Sequence, residues 1–184
     1  MISSPSGGGK TTVVRHLLQR LPELVRSVSV STRHPRAGER SGADYRFVTP
    51  VAFARLRARR EFLEWAQVHQ ACYGTPARTV RAALEHGRDV VLSIDVQGAR
   101  QIRRRLGRRA VLIFLMPPSL EALKRRLVRR HTDSRDAIAR RLKAARRELA
   151  YARDYDYVVM NRELATAVNE TTAIVTAERL RADR

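Results

Sequence analysis

The stretch Ser4-Pro5-Ser6-Gly7-Gly8-Gly9-Lys10-Thr11-Thr12 constrains this chain more than any other. Three glycines in a turn carry no Cβ, so their backbone N–H groups can converge on an anion. A helix predicted from Thr11 adds free N-terminal N–H groups and the positive end of its dipole. Lys10 supplies a mobile charge for phosphates, and the Thr11 hydroxyl is placed to ligate Mg²⁺. The stretch departs from G-x-x-x-x-G-K-[ST] at one point, where Ser4 stands for the first glycine. The competing reading is an ordinary Gly-rich turn, and the register of three glycines, Lys and Thr before a helix argues against it.

The 184 residues suffice for one domain with a real core. The longest apolar run, 110–116, is too short to span a bilayer and ends at Pro117-Pro118. No secretory leader is expected, because the loop begins almost at Met1. Cys72 is the only cysteine, so no intrachain disulfide forms and a reducing cytoplasm is expected. The net charge of +19 would ordinarily point to nucleic acid. Among the 37 basic residues, however, only Lys10, Lys124 and Lys143 are lysines. A general arginine bias therefore explains the charge as well as function does. The arginines are scattered and few aromatics stand ready to stack bases. No specific nucleic-acid partner and no membrane partner are expected.

Periodicity predicts alternating strands and helices. Residues 1–3 read as a strand feeding the loop, short for a central one, so a few more apolar residues before Met1 are expected. The helix from Thr11 carries Val13, Val14, Leu17, Leu18 and Leu21 on one face. Residues 27–31 alternate as a strand. Pro35, Gly38 and Gly42 mark the loop 32–45. Taken alone this loop is solvated and basic, although Arg33, Arg36 and the Tyr45 hydroxyl can also meet one phosphate. Strand 45–48 follows, then Thr49-Pro50 as cap and first residue of a helix. Residues 61–68 alternate weakly, with Glu64 either facing solvent or serving a site. Tyr73-Gly74-Thr75 reads as a turn before a helix starting at Pro76 and closing at Gly87.

Residues 90–95 read as a buried strand ending in Asp95, at the carboxyl end where ligands bind in a parallel sheet or as a plain helix cap. A helix is expected from Gly98 to about Gly107, then a buried strand over 110–116. Ser119 caps a helix with Leu120, Leu123 and Leu127 inward, and Asp133-Ser134 breaks it. A long helix follows through Ile138, Leu142, Ala145, Leu149 and Ala152, with Arg141 off that stripe. The last strand is 157–160 and the last helix 168–180. The β-α succession predicts an α/β fold, a parallel sheet flanked by helices, with 32–76 as a separate antiparallel lobe. The five histidines show no ligand spacing, so no zinc site is expected.

From end to end these residues resemble the guanylate kinase family. The resemblance rests on Pro5-Ser6-Gly7 through Lys10-Thr11, Ser27-Val28-Ser29, Thr32 to Glu39, Gly42 to Phe47, Phe62 to Ala66, Tyr73-Gly74-Thr75, Ile94 to Gly98, and Tyr155 to Asn161. The Thr32-to-Glu39 loop with Tyr73-Gly74-Thr75 is its most specific part, since many NTPases share the phosphate loop.

The resemblance implies a P-loop NTPase fold with a core (1–31, 77–123 and 148–184), a GMP-binding lobe (32–76) and a helical lid (124–147). It implies transfer of the γ-phosphoryl of ATP to GMP or dGMP, with Mg²⁺, in a monomer or homodimer. By the family pattern Pro5, Ser6, Gly7, Gly8, Gly9, Lys10, Thr11 and Thr12 hold ATP, with Thr11 toward Mg²⁺ and Asn161 near the adenine. Ser29, Arg33, Arg36, Tyr45 and Tyr73 hold the GMP phosphate, while Glu64, Thr75 and Asp95 read the guanine edge. Lys10 and the lid-side Arg126, Arg130 and Arg141 stabilise the transferring group. The chain departs from the pattern at Ser93, where an acid helps organise Mg²⁺, and at Cys72, His131 and Arg162. A non-enzymatic interaction module of the same fold, a ribose-phosphate kinase and a nucleic-acid binder are the rivals. Lys10, Arg33, Arg36 and Glu64 together favour the enzyme.

Overall fold

The computed structural model describes residues 1–68, 70–129 and 135–182. Arg130, His131, Asp133 and Ser134, and with them the expected lid break, lie outside the described residues, as does His69. In chain order the elements are β1 (Ile2–Ser3), α1 (Lys10–Arg20), β2 (Val25–Arg26), β3 (Val30–Ser31), β4 (Arg46–Phe47) and α2 (Pro50–Ala58). Next come β5 (Phe62–Val68), β6 (Ala71–Pro76), α3 (Ala77–Glu85), β7 (Val90–Val91), α4 (Val96–Leu106) and β8 (Ile113–Met116). The chain closes with α5 (Leu120–Val128), α6 (Arg135–Leu149), β9 (Tyr157–Met160) and α7 (Leu164–Arg179).

The core sheet is parallel and runs β2-β7-β1-β8-β9. The short β1 is stitched into its centre on both sides. Ile2 N–H donates to Leu92 O at 2.9 Å, and Ile94 N–H returns to Ile2 O at 3.3 Å. The expected strand 90–95 thus persists as a ladder beyond β7. One face of the sheet packs Val13, Val14 and Leu17 of α1 and Ala167 and Val168 of α7 against Ile113, Leu115 and Val159. The other packs Val80 of α3 and Ala99 and Ile102 of α4 against Leu92, Ile94 and Leu112. This is the helix-covered parallel sheet that near-continuous apolar strands require.

The lobe is a second sheet of order β4-β3-β6-β5. Three expectations are corrected here. The strand expected over 27–31 is shorter: Val30–Ser31 alone forms a strand, in the lobe, while Val25–Arg26 ahead of it pairs in the core sheet and 27–29 carries the chain across. The lobe is not wholly antiparallel, because the loop 32–45 returns the chain in its original direction and β4 pairs parallel with β3. Tyr73-Gly74-Thr75 is no turn but the middle of β6, antiparallel to β5.

Local signals set several boundaries where expected. The Thr49 and Ser119 hydroxyls accept Ala52 N–H at 3.2 Å and Ala122 N–H at 3.0 Å as helix caps. α4, in contrast, starts before Gly98, because the Asp95 carboxylate caps it by accepting Gly98 N–H at 3.0 Å. α7 likewise begins ahead of Val168, and Ala152 lies in a 3₁₀ turn rather than in α6.

Phe114 on β8 is fully buried, edge-on to Tyr155 at 5.1 Å, and packs against Val96 at the head of α4. Phe114→Ala is expected to lower stability by about 3–5 kcal/mol. A urea midpoint unmoved from wild type would show that the site collapses around the loss.

Candidate active site

The phosphate loop is shaped by its glycines and wedged from behind. Gly7 and Gly9 have φ of +87° and +92°, the left-handed region where a Cβ is strained. A Cβ on Gly8 would lie 2.8 Å from Ser4 Cβ. Ser4 is 7 % exposed, so this close approach is how the loop accepts serine where the motif has glycine. A Cβ on Gly9 would overlap the Asn161 amide, whose Nδ2 donates to Gly8 O at 2.7 Å. Arg126 donates through Nη2 to Asn161 O at 2.8 Å and through Nη1 to Gly8 O at 3.4 Å. Arg126 and Asn161 therefore brace the loop rather than line the open cleft.

Lys10 opens α1, and its Nζ donates to Ile94 O at 2.6 Å, at the end of the β7 ladder. Burial pushes the ammonium below its ordinary pKa, while Asp95, Glu148 and Glu64 pull it back up. Two of its three donors remain for a ligand.

One continuous cleft joins this loop to the lobe. Residues 4–12 form one wall; Ser29, Arg33, Arg36, Tyr45, Glu64 and Tyr73 line the other, with Asp95 between them. Thr11 is exposed at the cleft, and Ser93 lines it as well. Tyr45 and Tyr73 stack edge-on at 5.9 Å. Thr75 is fully buried behind Glu64, where its hydroxyl donates to Glu64 Oε1 at 2.5 Å, and it does not line the cleft. Arg141 sits on α6 away from the cleft lining, and Arg130 lies outside the described residues.

Glu64 is the unusual group. It faces inward with Phe62 and Ala66 and is 3 % exposed, which excludes the solvent-facing reading. Burial, opposed by the Thr75 hydrogen bond and reinforced by Asp95, raises its pKa from the ordinary 4.5 to about 7. Its second oxygen occupies the space a Cβ on Gly98 would fill. Two glutamines of α4 hold the lobe strand in register with this slot. Gln101 accepts Trp65 N–H at 3.3 Å and donates to Trp65 O at 2.7 Å. Gln97 donates to Gln67 O and to Asp95 Oδ2, both at 3.1 Å.

Sequence reasoning missed Gly98, the two glutamines and Glu148. The glutamines had a signal, an i, i+4 polar pair directly after Asp95. Glu148, two turns after Arg141 on α6, lines the cleft by the phosphate loop. Burial and Asp95 push its carboxyl up, and the Ser6 N–H and Lys10 draw it down. Among the described residues no three His, Cys, Asp or Glu side chains gather into a metal-sized group.

A family model described as guanylate kinase matches residues 1–178. A guanylate kinase of Bordetella pertussis is 48 % identical over 181 residues, covering 98 % of this chain and 84 % of the relative. One of Geobacter metallireducens is 46 % identical over 184 residues, covering 100 % and 90 %. The crystal structure of guanylate kinase from Anaplasma phagocytophilum superposes with a TM-score of 0.83 at 35 % identity, covering 98 % of this chain and 85 % of that one. A shikimate kinase from Bacteroides thetaiotaomicron, 12 % identical with a TM-score of 0.50, shares the fold alone.

The raised Glu64 pKa makes a signed prediction about stability. The folded state prefers the neutral carboxyl, so the stability it contributes is complete below pH 4.5 and is lost as pH rises through about 7. Glu64→Gln removes that loss. The variant should melt higher than wild type at pH 8, by the equivalent of roughly 3 kcal/mol, with the gap closing by pH 5. Parallel melting curves across this range would mean that Glu64 ionises as an ordinary surface carboxylate.

Proposed function

The chain belongs to the guanylate kinase family, and from that membership we propose how its cleft performs ATP:GMP phosphoryl transfer. The single observation that carries the reading is the meeting, in one cleft, of the Lys10 loop with a buried carboxylate and two arginines. ATP lies with its phosphates on residues 5–12 and its adenine toward Asn161. GMP lies in the lobe, its phosphate against Ser29, Arg33, Arg36, Tyr45 and Tyr73. Its guanine N1–H and 2-amino group meet Glu64, with Thr75 orienting that carboxylate and Asp95 beside it. dGMP fits the same contacts, none of which calls on the 2′-hydroxyl.

A GMP phosphate oxygen attacks the γ-phosphorus in line, the bond to the bridging oxygen of ADP breaks, and GDP and ADP result. Little covalent chemistry is asked of the protein; positioning and charge neutralisation suffice. Lys10 follows the β- and γ-phosphates. Arg126 acts from its place against the loop, Arg130 and Arg141 are assigned to the lid 124–147, and closure would exclude water that otherwise hydrolyses ATP. The donors present suit Mg²⁺, which favours oxygen ligands and keeps its waters. The exposed Thr11 hydroxyl would hold it together with phosphate oxygens, and Asp95 and Glu148, which line the same cleft, would be available to its water shell. Bound there, Mg²⁺ would supply charge neutralisation to the transferring group. Ser93, where the resemblance implies an acid, would leave that shell with one carboxylate fewer. No helix among the described residues is long and apolar enough to cross a membrane. We place the enzyme in the cytoplasm with its nucleotides, as a monomer or homodimer.

A coupled assay with GMP, dGMP, AMP and UMP tests the reading. Lys10→Ala should lower kcat on the order of 10²–10³-fold while leaving the melting temperature near wild type. Near-normal turnover would remove Lys10 from the mechanism.

Glu64→Ala should raise KM for GMP by about ten- to a thousandfold, since it removes one or two hydrogen bonds to a charged acceptor. KM for ATP should move little, and the GMP-over-AMP preference should narrow. Gly98→Ala, which evicts the carboxylate from its slot, should act in the same direction. An unchanged GMP-to-AMP ratio in both variants would overturn the assignment of Glu64 to guanine.

A further inference from the structure

The loop that delivers Arg33 and Arg36 contains a carboxylate whose role nothing above explains. Glu39 takes Arg33 end-on, Oε2 accepting Nη1–H at 2.6 Å and Oε1 accepting Nη2–H at 2.7 Å. The same Oε2 accepts the backbone N–H of Arg36 at 2.8 Å. Gly38, at a φ of +82°, lets the chain fold back so that Glu39 N–H reaches Arg36 O at 3.0 Å. The Arg33 guanidinium also lies 5.0 Å from the Tyr45 ring and 5.3 Å from Phe47, and Nη1 donates again to His34 O at 2.9 Å. The paired side chains are only 14 % and 20 % exposed, so this is not a solvent-screened surface ion pair.

A guanidinium is planar and has five N–H donors in fixed directions. Three are taken here, two by Glu39 and one by His34 O. The two left, on Nε and Nη2, share one edge. That edge is all Arg33 has to offer a ligand, and Glu39 decides where it points.

We propose that Glu39 is a positioning residue of the substrate-phosphate clamp. It turns Arg33 so that its Nε–Nη2 edge meets the monophosphate side-on, and it fixes the backbone from which Arg36 reaches the same group. The claim rests on the assignment of Arg33 and Arg36 to the GMP phosphate. Free of Glu39, Arg33 would still carry its charge but would have to be oriented at the moment of binding, which weakens the contact.

The test compares GMP with guanosine, which lacks the phosphate, by titration calorimetry and by steady-state kinetics. Glu39→Gln should weaken GMP about ten- to a hundredfold, in binding and in KM, while guanosine affinity and KM for ATP stay as in wild type. Glu39→Asp, which keeps the charge at shorter reach, should recover part of the loss. A purely structural role predicts otherwise: guanosine and GMP weaken together. That result overturns the proposal, as does a Glu39→Gln enzyme with unaltered GMP affinity. Arg33→Lys and Arg36→Lys separate the two levels. If they leave the preference for GMP over guanosine intact, the clamp assignment itself fails and the proposal with it. If they abolish that preference and Glu39→Gln does not, the clamp stands and only the role of Glu39 is refuted.

Discussion

A carboxylate kept from water is the constraint around which the two halves of this molecule are arranged. Glu64 is on the lobe, yet the slot that receives it is made by the core, where Gly98 leaves out a Cβ and Asp95 caps the same helix turn. Burying such a group is unfavourable unless its partners are supplied. Thr75 supplies one hydrogen bond, and the field of Lys10 supplies some compensation. The remaining deficit appears as a pKa of about 7. On the proposed reading, a ligand with two N–H donors removes it, whereas one presenting an acceptor deepens it, and that difference is the basis of selectivity.

The phosphate loop depends on comparable economy of space. Each of its three glycines faces a different neighbour. A Cβ on Gly7 would press on Leu127 of α5, one on Gly8 on Ser4, and one on Gly9 on Asn161. The loop is therefore fixed by close contact from three directions before any nucleotide arrives. Arg126 and Asn161, bonded to Gly8 O, tie α5 and the end of β9 to that same turn. On the proposed reading they sense nucleotide through the loop backbone as well as directly.

How much of this could be read from the chain varies with how local the cause is. The start of α1, the Thr49 and Ser119 caps and β9 were legible because the residues that decide them lie within a few positions of one another. The strand 27–31 was misread because its alternation is real, but two sheets share it: Ser27 N–H still bonds Val91 O in the core, and Val30 already pairs in the lobe. The start of α4 was placed late because Gly98 looked like a helix opener, when its lack of a side chain serves Glu64 instead. Glu148 carries no local signal, since only the folding of α6 over the loop brings it to the cleft. The arginines misled least once their number was discounted. Many act as staples: Arg105 on Leu63 O, Arg103 on Asp156, Arg179 on Asp89, Arg57 over Trp65. A charge of +19 spent this way says little about nucleic acid.

The charge that matters is local, and in the described cleft it nearly cancels. Lys10, Arg33 and Arg36 face Glu64, Asp95 and Glu148, three cations against three carboxylates. One phosphomonoester alone brings roughly −1.5 to −2, and a triphosphate brings more. The open cleft cannot neutralise both nucleotides with what lines it. Protonation at Glu148, raised above the ordinary carboxylate range, offsets only part of the excess. On the proposed reading the rest comes from outside the lining, from a divalent cation carried by ATP and from the arginines of the lid. Both requirements tie chemistry to closure. GMP alone or ATP alone leaves the lid with less negative charge to close on than the two together. On the proposed reading, a cleft poised near neutrality favours closure when both substrates are present, and closure then excludes water. Glu148 couples the two parts in space, being on the helix that carries Arg141 and lining the cleft beside the phosphate loop.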